Sequence, residues 1–141
     1  MIKNILQFQS PEEHYEADVC IVWCFDHRFA ALLALFLKRF EKYDLVNIAG
    51  GAKALAGDAS PERDFVLGQI KASIRLHHTK RIALMLHREC GAYGMNFPDK
   101  ETERDYYVGQ LATAKRFLAG EIPGVPIDIY FGDFNGLHPI E

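Results

Sequence analysis

Cys24-Phe25-Asp26-His27-Arg28 and His87-Arg88-Glu89-Cys90-Gly91 hold two cysteines and a histidine between them. Thiolates and imidazole form the soft donor set that favours zinc. Cys24, His87 and Cys90 are three ligands, one short of a tetrahedron. An open fourth position that takes water marks a catalytic zinc rather than a structural one. One zinc per chain is expected here. Asp26 and Arg28 add an acid and a base two residues apart. On a surface such a pair stabilises by only about 0–1 kcal/mol. Beside a zinc, a carboxylate held by a guanidinium can accept a hydroxide proton and orient the attacking lone pair. Asp26 and Arg28 are therefore the expected catalytic residues.

His-x-x-Cys alone is a weak signal. It gains weight from the elements that must position it. Asp18 to Cys24 is a short apolar run rich in β-branched residues, which predicts a buried strand. Arg28 to about Tyr43 reads as a helix, with Phe29, Leu32, Leu33, Phe36, Leu37 and Phe40 on one face. Ala30, Ala31, Ala34 and Leu35 make its other face apolar too, so it is buried on most sides or packs on another subunit. Asp44 to Ala49 predicts a second strand. Ser60-Pro61 caps and starts a helix to about His77. Arg81 to His87 predicts a third strand, Asp99 caps a helix to about Leu118 with Gly120 as its stop, and Pro126 to Phe131 predicts a last strand. Alternating strands and helices imply an α/β fold, a mostly parallel central sheet flanked by helices. Ligands bind at the carboxyl ends of such strands, where Cys24 and His87 both fall.

The remaining polar residues have plainer readings. Cys20 shares a strand face with Val22 and Cys24 and reads as a core thiol. His77-His78 ends a helix, where cations suit the macrodipole, rather than forming a second metal site. His27 is an exposed loop histidine before it is a proton relay. Gly91 and Gly94 read as a turn that lets Cys90 reach back. Gly50-Gly51 reads first as a plain strand-to-loop break, with a close backbone passage by the site as the alternative.

The 141 residues suggest one domain over 1–141, at 49% apolar and 25% charged. A net charge of −3 with scattered Lys and Arg gives no case for nucleic acid or an anionic membrane. Lys3, Asn4, Gln7 and Gln9 interrupt any signal-peptide core, and the longest apolar run, Phe29 to Leu37, is too short to span a bilayer. The chain reads as cytoplasmic. Three cysteines without an export signal argue against a disulfide framework, although Cys24 and Cys90 can pair on oxidation.

Cys-x-Asp-x-Arg at one strand end and His-x-x-Cys-Gly at a later one resemble the β-class carbonic anhydrases, over about Asp18 to Gly94. The resemblance implies Cys24, His87 and Cys90 as zinc ligands and Asp26–Arg28 as the catalytic dyad. Ile48-Ala49-Gly50-Gly51 is similar to the family's Asn-Ala-Gly element, with Ile48 in place of Asn and Asn47 one position early. Gln9-Ser10-Pro11 is similar to the family's pocket-glutamine context, with a longer spacer. The implied function is reversible hydration of carbon dioxide to bicarbonate, in a homodimer or higher homo-oligomer. The alternatives are a zinc hydrolase of carbonyl sulfide or carbon disulfide, and an inactive zinc-binding homologue.

Overall fold

Six consecutive buried residues, VCIVWC, form β1 (Val19–Cys24), and six more, IALMLH, form β3 (Ile82–His87). Strands covered on both faces read as unbroken apolar runs and belong at the centre of a parallel sheet. The computed structural model, which describes residues 2–141, places them side by side there. β2 (Tyr43–Ile48) pairs with β1 on one side, and β4 (Ile127–Asp133) with β3 on the other, all in parallel. A strand not predicted, β5 (Gly136–Ile140), returns antiparallel on β4. The order is β2-β1-β3-β4-β5. The chain leaves β1 toward β2, then crosses back to β3. The reversal makes a switch point between the ends of β1 and β3, the place where open α/β sheets bind ligands.

The predicted helix from Arg28 to Tyr43 is corrected. A 3-10 turn, His27–Phe29, leads into α1 (Ala30–Leu37), and the helix stops there. Asp18 ends it: its Oδ2 accepts the amides of Glu41 and Lys42, each at 3.1 Å. Those amides turn the chain into β2 instead of continuing the helix. Exposure along β2 alternates, as on an edge strand with one side packed.

α2 (Lys53–Ala56) is a short helix not predicted. α3 (Pro61–His77) begins as expected, with Ser60 Oγ accepting the Arg63 amide at 3.1 Å. α4 (Lys100–Glu121) begins at its Asp99 cap but runs past Gly120, the predicted stop. The left-handed glycine is Gly124, at φ 86°, and buried Ile122 anchors the end. α1 covers one sheet face, where Phe36 stacks on Trp23 and meets Tyr130 edge-on. α4 packs on the other, where Tyr107 stacks on Phe131. Ala31, Ala34 and Leu35 on the outer side of α1 are exposed, Leu35 by 62%. No helix of the described residues is long and apolar enough to cross a membrane.

Candidate metal centre

Cys24 ends β1, His87 ends β3, and Cys90 follows one turn later. Their donor atoms lie within 4.8 Å of one another, and all three residues are buried. His87 is fully buried, and its Nδ1 lies 2.7 Å from the Arg88 carbonyl oxygen. A carbonyl only accepts, so Nδ1 carries the proton and Nε2 keeps its lone pair. That Nε2 has no hydrogen-bond partner among the described residues. An unpartnered buried polar atom costs roughly 1–3 kcal/mol, so the geometry calls for an electrophile. Hydrogen bonding from the Cys90 thiol pulls the Cys24 thiol well down against the opposing effect of burial. The amides of Asp26 and Gly50 help. Cys90 is pushed up, because its proton is shared with Cys24. Two sulfurs sharing one proton beside an imidazole lone pair fit a divalent, thiophilic cation such as zinc. Cys20 is buried, its thiol pushed up to about 11 mainly by that burial, and it stands outside the cluster as a core residue.

The predicted turn at Gly91 and Gly94 forms after Cys90, with Gly94 at φ 60° and its amide on the Gly91 carbonyl. The backbone that brings Cys90 back to the cluster turns one residue earlier, at left-handed Glu89, φ 57°. Gly50-Gly51 is also more than a break. Gly51 has φ 56°, and a Cβ there would sit 2.6 Å from the Met85 carbonyl oxygen and 3.1 Å from the Cys24 amide. Only glycine lets this loop press against β1 and β3. Ile48 carries the backbone into the loop, its carbonyl accepting from Phe25 and Gly51, while Asn47 is exposed.

Asp26 caps the 3-10 turn through the Arg28 amide at 3.0 Å. The Arg28 side chain returns to it, with Nη2 at 2.7 Å and Nε at 3.1 Å from Oδ2. These bonds hold the Asp26 carboxyl down at about 2, with burial opposing. Asp26 Oδ2 stands 3.8 Å from His87 Nε2, so the ionised carboxylate borders the cluster.

Three supporting residues escaped the sequence reading. Glu89 accepts Arg28 Nη2 on its carbonyl at 3.0 Å and Nη1 on its side chain at 3.3 Å. Phe134 lies under the Arg28 guanidinium at 5.3 Å and stacks on Phe29. Glu103, buried on α4, binds Arg88 and the Glu89 amide. Only the charges of Arg88 and Glu89 between His87 and Cys90 hinted at them. His27 is exposed, and Gln9 lies exposed in the N-terminal segment. His77 pairs with Asp44 at 2.7 Å, and His78 caps α3 in the left-handed region.

Residues 15–131 match the family described as "Putative carbonic anhydrase". A Rickettsia bellii protein of uncharacterized function is 23% identical, over 96% of this chain and 90% of its own. Among solved structures, the carbonic anhydrase of Streptococcus mutans superposes with a TM-score of 0.63 at 17% identity, over 94% of this chain and 88% of that one. The apo form of a carbon disulfide hydrolase gives 0.58 at 13% identity, over 89% of this chain and 79% of that one. At these identities the structural likeness is one of fold, while the family match spans most of the chain. A parallel sheet with its switch point at the Cys24–His87–Cys90 cluster and that family match make this chain a divergent member of the β-carbonic anhydrase family.

Proposed function

We propose that the chain is a zinc-dependent carbonate dehydratase, with Cys24, His87 and Cys90 as ligands and Asp26 and Arg28 as its catalytic pair. The observation that carries this reading is the orphaned Nε2 of His87, grouped with two sulfurs and bordered by the Asp26 carboxylate. Zinc with three protein ligands lowers the pKa of water at its open position to about 7, supplying a nucleophile at neutral pH. Asp26 is ionised at neutral pH and therefore accepts hydrogen bonds only. It takes a hydrogen bond from the attacking oxygen and so fixes where the oxygen's lone pair points. Arg28 holds both carboxylate oxygens and keeps Asp26 from turning to the ligands. An exposed pair contributes little stability, so its use here is orientation.

The substrate is carbon dioxide in one direction and bicarbonate in the other. The likeness to a carbon disulfide hydrolase supports a second reading, hydrolysis of carbon disulfide or carbonyl sulfide at the same site. Stopped-flow turnover of all three gases, on protein of measured zinc content, separates them. Carbon dioxide hydration alone supports the first reading. Full zinc with no turnover of any gas leaves an inactive zinc-binding homologue. The exposed apolar side of α1 supports a homodimer or higher assembly, and the net charge of −3 fits a small-molecule substrate rather than nucleic acid; a cytoplasmic location belongs to the same reading.

A further inference from the structure

We propose that Glu103 is a positioning residue for the Asp26–Arg28 pair, acting through Glu89; the proposal rests on the catalytic reading above. Glu103 lies in the first turns of α4 and is only 8% exposed. A carboxylate this deep is costly unless its oxygens are matched. Both are: Oε1 accepts Arg88 Nη1 at 2.6 Å, and Oε2 accepts the Glu89 amide at 2.9 Å.

Glu89 is the residue that needs holding. A left-handed conformation is strained for an L-residue other than glycine, and Glu89 has φ 57°. On the α4 side it borders an open cleft of about 590 Å³ lined by Glu89, Cys90, Met95, Phe97, Lys100 and Glu103. The neighbouring Arg88 is held by its amide on the Gly132 carbonyl at 2.9 Å, and Glu103 accepts the amide of the strained residue itself. The carbonyl of that same residue meets Arg28 Nη2 at 3.0 Å. Arg28 is 46% exposed at its side chain and would otherwise sample several rotamers. Holding the Glu89 carbonyl sets the plane of the guanidinium, and that plane sets both Asp26 oxygens. The line of contact runs from α4 through the loop to the dyad, without Glu103 touching the cluster.

A merely structural Glu103 would tie α4 to the loop and nothing more. Glu103→Gln, Arg28→Ala and the double variant distinguish the two. Gln keeps the size but must turn its amide NH₂ toward one of two donors. The readouts on zinc-loaded protein are zinc content, kcat and KM for carbon dioxide, and the ¹⁵N-NMR resonance of the Arg28 Nε–H. Glu103→Gln is expected to keep one zinc, shift that resonance, and lower kcat about 10-fold at unchanged KM. In the Arg28→Ala background the same change should cost less than about 2-fold. Losses that multiply, or an unshifted Arg28 resonance in Glu103→Gln, overturn the proposal. The resonance does not depend on turnover. A shift in protein that hydrates no carbon dioxide supports the positioning role while the proposed activity fails. Should Glu103→Gln not fold, Glu103→Asp, one methylene shorter, carries the same cycle. Full activity with an unshifted resonance there also overturns the proposal.

Discussion

The Nδ1 of His87 is tied to the carbonyl of Arg88, the next residue along the chain, at 2.7 Å. The ring is thus fixed in one tautomer before any metal arrives. Tying the outer nitrogen in this way orients a ligand and raises its basicity.

Elemental analysis of purified protein should accordingly give one zinc per chain, lost in Cys24→Ser and Cys90→Ser. Chelation should lower Tm, since a ligand at 100 times its Kd stabilises by about 2.7 kcal/mol. Full zinc retention in both serine variants would remove the cluster as the metal site.

Asp26→Asn should keep its zinc and lose about 10²-fold or more in kcat, the scale on which losing one positioned hydrogen bond to the reacting oxygen slows an enzyme. The amide occupies the same space, but its NH₂ donates where the carboxylate accepted. Wild-type turnover in a zinc-replete Asp26→Asn protein would take Asp26 out of the mechanism.

Gly51→Ala should destabilise by at least about 2 kcal/mol and reduce zinc content, because the methyl meets backbone at 2.6 Å in the left-handed region. Gly91→Ala has an ordinary φ and open space around the added carbon, and should change stability by less than about 0.5 kcal/mol. Urea melts of the two proteins compare them directly. Equal midpoints would contradict the close approach.

At the far end of the sheet, burial pushes the Asp44 carboxyl up, but hydrogen bonds from Ser73, Tyr15 and His77 outweigh it and hold the carboxyl below its ordinary value. A depressed carboxyl contributes stability above its unfolded pKa, about 3.9. That contribution is lost as pH falls through the folded value. Asp44→Asn should cost about 1–3 kcal/mol at pH 7. The gap to wild type should narrow as pH is taken below about 4. A gap independent of pH would mean that the charge of Asp44 contributes nothing.

Light scattering at micromolar concentration should show more than one chain per particle, and Leu35→Arg should shift the population to monomer. Leu35 is 62% exposed on an apolar helix side. A monomeric wild type would leave that side without a partner.

The continuous apolar runs of β1 and β3 made the sheet centre legible, since burial on both faces leaves a sequence little choice. Ser60 and Asp99 marked two helix starts for an equally local reason. The end of α1 was not legible, because Asp18, from before β1, competes for the amides of Glu41 and Lys42. β5 was hidden by the short, polar-bounded run Gly136–Ile140, which pairs along one edge only. At the site, ligand types and spacing could be read directly. The roles of Glu89 and Glu103 could not, because they depend on a φ sign and on a helix arriving from elsewhere.

Trp23, stacked on Phe36, is the chain's one tryptophan, directly precedes Cys24 and is 1% exposed. Its indole N–H has no partner among the described residues. The protein thus carries an intrinsic fluorophore in a dry setting, one residue from the cluster. Its emission should move to longer wavelength when the sheet opens to water, which lets unfolding be followed optically in the same cuvette as metal loading, without any attached dye.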